Sequence, residues 1–231
     1  MTLADRVRAW ARKHTDADRY SPVGQFYHWL MAALVFFQLW WGWRMTRLPA
    51  GPDKLDGYQV HSQIGVALLI LILLRMGWRL LIPGPVNDAD KPGWQSKAAH
   101  LTHYAFYVIL IGLPLSGWTL WSSLASDYPL SAAGVLPWPQ LPFDGLPERT
   151  RWLILRGAEN THYALVWALL LLLPAHIGAA LKHHFWDRDD VLSAMVPFLE
   201  PLPKREGSEA ARGAWRRKPK RPRSPSPSSA G

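Results

Sequence analysis

The chain contains no cysteine. That absence excludes disulfides, thiolate ligation of metals, iron–sulfur clusters and covalent c-type haem attachment. Any redox centre must therefore rest on other side chains. The long apolar stretches contain no aspartate or glutamate, which removes the carboxylate help that a zinc site or a midplane transport site ordinarily uses. The apolar and polar alternation of a membrane barrel strand is missing, and so is any repeat of solenoid type. A cleavable signal peptide is not expected either. Residues 1–24 are polar and charged, and the first apolar run lacks a small-residue cleavage site before its loop. That first run is expected to stay in the mature protein.

What is present is apolar length. The mean hydropathy of −0.06 blends apolar spans with polar ends. Four stretches, at about 25–46, 60–82, 101–123 and 161–181, reach the roughly 20 residues needed to cross about 30 Å of hydrocarbon. The expected fold class is all-α: an integral membrane four-helix bundle occupying 25–184, followed by an interfacial segment 185–200. Pro114 and Pro174 should kink the third and fourth helices. The 14 tryptophans cluster near the span ends, among them Trp29, Trp40, Trp41, Trp43, Trp78, Trp118, Trp121, Trp152 and Trp186, as in an interfacial aromatic belt.

Basic residues set the expected orientation. Arg6, Arg8, Arg12, Lys13 and Arg19 precede the first span, and Arg75, Arg79, Lys91 and Lys97 surround the second loop. The opposite loops and flanks hold Arg44, Arg47, Lys54, Arg149, Arg151 and Arg156. Both termini are thus expected on the cytoplasmic side. The net charge of +9 comes mostly from a Pro-, Ser-, Lys- and Arg-rich tail over 201–231. Its composition is that of a disordered segment touching anionic lipid, and nucleic acid is not expected as a partner. On the outer side Asp53, Asp56, Asp127, Asp144, Glu148 and Glu159 balance the basic residues. Bulk charge therefore does not single out an anionic donor.

Four histidines lie inside or at the rim of the apolar spans: His28, His61, His162 and His176. An ionisable side chain in that setting marks a functional site by default. His162 and His176 stand 14 residues apart on one span, just under four turns, so they share a face and are separated by roughly 21 Å along the axis. Depth pairs His28 with His176 toward the inside and His61 with His162 toward the outside. Two axial imidazoles on facing helices, at each of two levels, suit two six-coordinate haems b. Polar contacts between helices are the alternative. Gly65 near His61, and Ala175, Gly178, Ala179 and Ala180 around His176, suit either a porphyrin face or close helix packing.

Other groups are secondary. His100 and His103 share one helix face at the third span's start and compete with His28 for the inner position, although they read as interfacial. Arg75 and Arg79 suit haem propionates, or snorkelling to headgroups. Lys182, His183, His184 and Trp186 follow the fourth span and form a candidate quinone or proton-exchange site, with an interfacial anchor as the alternative. The loop over 124–160 is long and rich in Pro and Trp.

The segments YHWLMAAL, VHSQIGVALLILILLRMGWRL, AHLTHYAFYVILIGLPLSGW and THYALVWALLLLLPAHIGAALKHHFWDRDDVL resemble bacterial members of the cytochrome b561 family, over about 20–197. The resemblance implies the same axial pairs, two haems b, and electron exchange between the ubiquinone pool and an outer-face donor. Superoxide is the proposed donor for some members. Two rival functions stay open at this point. One is a haem-bearing anchor of a larger dehydrogenase or hydrogenase, and the other is a metal or proton transporter.

Overall fold

A computed structural model describes residues 2–13, 15, 19–82, 93–124 and 129–200. Lys91, Asp127 and the tail over 201–231 lie outside these residues. A short helix α1 (Leu3–Lys13) precedes four long ones: α2 (Pro22–Thr46), α3 (Pro52–Leu81), α4 (Gly93–Ser123) and α5 (Glu148–Lys182). Local chemistry sets their starts. Ser21 caps α2 by accepting from the Gly24 N–H at 3.2 Å, with Pro22 as the first helical residue. Pro52 opens α3 and Pro147 precedes α5, positions where the missing proline N–H costs nothing.

The four long helices correspond to the four expected spans, but all four begin earlier than the apolar pattern. Hydropathy reports where hydrocarbon ends, whereas the backbone stays helical into the polar layer. The largest shift is in α5, which starts at Glu148 and reduces the expected 124–160 loop to the segment before Pro147. Among the described residues α3, α4 and α5 are long and apolar enough to cross a membrane. Helix α2 has the length, yet His28, Gln38 and its tryptophans lower its mean hydropathy.

The helices run antiparallel to their chain neighbours. In the α2–α3 pair, Trp78 Nε1 donates to Ser21 Oγ at 3.0 Å and Trp41 Nε1 donates to the Gly57 carbonyl at 2.9 Å, fixing both ends of one register. Close backbone packing joins α2 to α3, α3 to α4 and α4 to α5. Gly112 lets α4 and α5 approach, because a Cβ there would stand 2.8 Å from Leu165 Cδ1. The core consists of Met31, Val35, Leu68, Leu69, Ile72, Ile109 and Leu169. Outside it, Phe36, Leu73, Leu74, Leu115, Trp167 and Leu171 are exposed, the apolar surface that a bilayer covers.

Two further pieces close the ends. The loop before α5 forms a two-stranded hairpin, β1 (Ser131–Ala132) with β2 (Leu136–Pro137), a minor departure from an all-α chain. Its Leu130 and Ala132 bury against Val66 and Trp121, and the Ala133 N–H donates to the Gln63 carbonyl of α3 at 3.1 Å. At the other end, the segment after α5 folds back on α2. The Ala194 carbonyl accepts from the Tyr20 N–H at 3.1 Å and from Gln25 Nε2 at 3.0 Å, and the Met195 carbonyl accepts from Trp29 Nε1 at 2.9 Å. Several expected belt tryptophans are thus clamps: Trp29, Trp41, Trp78 and Trp118 donate to specific partners, and Trp121 is buried. Trp40, Trp43, Trp152 and Trp186 remain exposed as a belt would be.

Candidate functional site

Helix α5 presents His162 and His176 to two different neighbours. The ring of His176 faces His28 of α2, with centroids 6.4 Å apart and planes inclined at 61°. The ring of His162 faces His61 of α3, at 6.2 Å and 70°. All four rings are half-buried. Neither α2–α5 nor α3–α5 belongs to the closely packed helix pairs, so the rings meet across open seams between helices. The depth argument and the geometry therefore select the same partners.

The separations carry chemical information. With a metal–nitrogen bond of about 2 Å and about 1 Å more from nitrogen to ring centre, two imidazoles trans on one metal have centroids roughly 6 Å apart. A tetrahedral angle would bring them to about 5 Å at the same bond length. Both separations lie nearer the wider spacing, and the two pairs present residues that could hold a haem. The inner rings are flanked by aromatics: Phe106 meets His176 edge-on at 5.0 Å, and Trp29 meets His28 at 5.3 Å.

Space beside the rings comes from glycines. A Cβ at Gly42 would stand 3.3 Å from His61 Cε1, and one at Gly117 would stand 3.6 Å from His162 Cε1. Gly178 has nothing within 4 Å, and Ala175 and Ala179 are exposed. The small residues around His176 therefore border free space and do not serve tight packing. Gly65 has another use, since its nearest neighbour is Gln38 Nε2, which donates to the His61 carbonyl at 2.8 Å.

The two outer histidines differ in their support. His162 Nδ1 lies 3.0 Å from Ser116 Oγ and 3.1 Å from the Leu113 carbonyl. His61 Nδ1 is buried without a hydrogen-bond partner among the described residues.

His100 and His103 are exposed, and His100 Nδ1 lies 2.7 Å from the Ser96 carbonyl. The ring that faces His176 is that of His28. Arg75 and Arg79 line a small pocket at the inner end of α3, together with Tyr20, Ser21, Trp78 and Met195. Arg75 lies beside Tyr107, and the Arg79 guanidinium lies 5.0 Å over the Tyr20 ring. Arg75 is half-buried and Arg79 is exposed, and each has an aromatic neighbour within the protein.

The group after α5 divides. Residues His183–Asp187 form a π-helical turn, in which His183 Nδ1 sits 2.8 Å from Asp189 Oδ2 and 3.2 Å from Asp187 Oδ2, while Lys182 Nζ pairs with Asp187 at 2.6 Å. His184 turns inward and is buried, whereas Trp186 is exposed. The four residues therefore do not converge on one site. Sequence reasoning missed Ser116, Gly42 and Gly117, whose role depends on neighbouring helices; the available signal was a hydroxyl and small residues inside otherwise apolar spans.

A membrane helical bundle with facing imidazoles at two levels has the architecture of a cytochrome b. The prokaryotic cytochrome b561 family matches residues 19–198. The chain is 30% identical to cytochrome b561 homolog 2 of Escherichia coli strain K12 over 184 residues, covering 78% of this chain and 92% of that protein. It is 26% identical to cytochrome b561 homolog 1 of the same strain, covering 78% and 98%. It is 23% identical to the probable superoxide oxidase CybB of Yersinia pestis, covering 78% and 96%. The chain belongs to the prokaryotic cytochrome b561 family, whose members are membrane proteins that bind haem b.

Proposed function

We propose that this protein is a transmembrane di-haem cytochrome carrying electrons between a donor at the outer face of the bacterial inner membrane and the ubiquinone pool. Its termini lie in the cytoplasm. Bound between His28 and His176, and between His61 and His162, haem b supplies reversible one-electron carriage. The observation that carries the reading is the facing of two imidazole pairs, with centroid separations of 6.4 and 6.2 Å that would leave room for one metal between each pair.

The remaining residues act on position and charge. Arg75 and Arg79, beside Tyr20 and Ser21, supply cationic donors for the carboxylates of an inner cofactor. Phe106 and Trp29 hold the inner rings by edge contacts and exclude water from them. With both imidazoles of a pair engaged, a haem held there would exchange electrons with quinone and donor without direct ligation. His183, beside Asp187 and Asp189 at the cytoplasmic end, is placed to exchange the protons that accompany quinone chemistry.

The pairing is tested with single substitutions. His28→Ala and His176→Ala should each remove one and the same haem, and His61→Ala and His162→Ala the other, read as the missing midpoint in a redox titration. Loss of the same haem from His28→Ala and His61→Ala contradicts the assignment. A short-chain ubiquinone analogue added to the reduced protein should reoxidise both haems, and failure to do so removes the quinone from the proposal.

A further inference from the structure

The two contacts of His162 Nδ1 fix its chemistry. The Leu113 carbonyl can only accept, so Nδ1 carries the proton. Ser116 Oγ lies 2.8 Å from the Gly112 carbonyl and 2.9 Å from the Leu113 carbonyl, and its single hydroxyl proton is directed to them. The hydroxyl is then an acceptor toward His162 Nδ1 at 3.0 Å. A chain of polarity runs from the imidazole N–H through the serine to the α4 backbone. It leaves Nε2 with its lone pair free. Among the described residues no such partner supports His61 Nδ1.

We propose that Ser116 is the positioning residue of His162. It holds one tautomer and one ring orientation, and it raises the donor strength of that imidazole relative to His61. The proposal rests on the di-haem reading, and it sets the outer haem potential through a residue that never touches the haem iron. A hydrogen-bonded ligand N–H makes the imidazole a stronger base, which favours the oxidised metal. Removing the serine, one of the two acceptors, should therefore shift the outer midpoint upward. The α4 helix places Ser116 at the rim of a groove of about 410 Å³ shared with Gly157, Ala158 and Thr161 of α5, so a threonine methyl has room there. Threonine also keeps the hydroxyl and its bond to the preceding turn.

The test is spectroelectrochemical titration of the full chain in detergent, with haem per polypeptide measured on the same samples. The His28→Ala background leaves only the outer haem and identifies its midpoint. Ser116→Ala should raise that midpoint and leave the inner one in place, and Ser116→Thr should return it to the wild-type value. Loss of the outer haem in Ser116→Ala with retention in Ser116→Thr is equally the expected result. An unchanged outer midpoint in Ser116→Ala overturns the proposal, as does a threonine variant that behaves like alanine. A wild-type protein without haem at the His61 and His162 pair overturns the electron-transfer reading itself, before any serine variant is compared.

Discussion

An imidazole in hydrocarbon is costly unless it has a partner, and four of them here are arranged so that each has one ring opposite. Their inclinations give a prediction at this scale. Planes set at 61° and 70° should produce two strongly anisotropic low-spin ferric signals in electron paramagnetic resonance. Rhombic spectra typical of near-parallel imidazoles would contradict the geometry. A second prediction concerns Gly42, whose absent Cβ leaves 3.3 Å to His61. Gly42→Leu must displace that ring, so the purified variant should keep the inner haem and lose the outer one. Retention of both would show that the contact does not constrain His61. The four histidines were legible in the sequence because apolar flanks isolate them and the 14-residue interval sets depth. Ser116 and Gly42 were not, because each acquires meaning only from a ring contributed by another helix.

Helix packing in a bilayer lacks much of the hydrophobic drive, because lipid tails are as apolar as the core. Ile72, 1% exposed at the centre of the bundle, contributes mainly through the cavity its removal would leave. Ile72→Ala should cost about 1–3 kcal/mol, below the upper range for water-soluble cores. Unfolding in mixed micelles measures this, and an unchanged midpoint would place Ile72 outside the core. The fold-back after α5 is tied down by Gln25 and Trp29 to the Ala194 and Met195 carbonyls and by Arg19 to the carbonyls of Val196, Pro197 and Leu199. Combining Gln25→Ala with Trp29→Phe should make residues 190–199 more rapidly cleaved by protease than in the wild type, while α3 to α5 stay protected. These elements also show what hydropathy reads. It located all four long helices, but it placed the start of α5 thirteen residues late, at 161 in place of 148, because polar helical turns outside the bilayer look like loop. The N-terminal helix α1 and the 131–137 hairpin escaped notice, since neither has the length or alternation to stand out.

On the scale of the whole molecule, one helix presents a histidine at each of two levels, and α2 and α3 supply the rings opposite. That division explains the open seams beside α5 and the tight packing elsewhere. Under the proposed topology, with both termini cytoplasmic, the His61 and His162 pair faces the donor side. The most direct test of the account is haem per polypeptide by pyridine haemochrome, taken together with the reduced-minus-oxidised spectrum of the purified chain. The account predicts two b-type haems with low-spin bands for each polypeptide. A single haem would reduce one histidine pair to packing, and a folded, colourless protein would contradict the electron-transfer function outright.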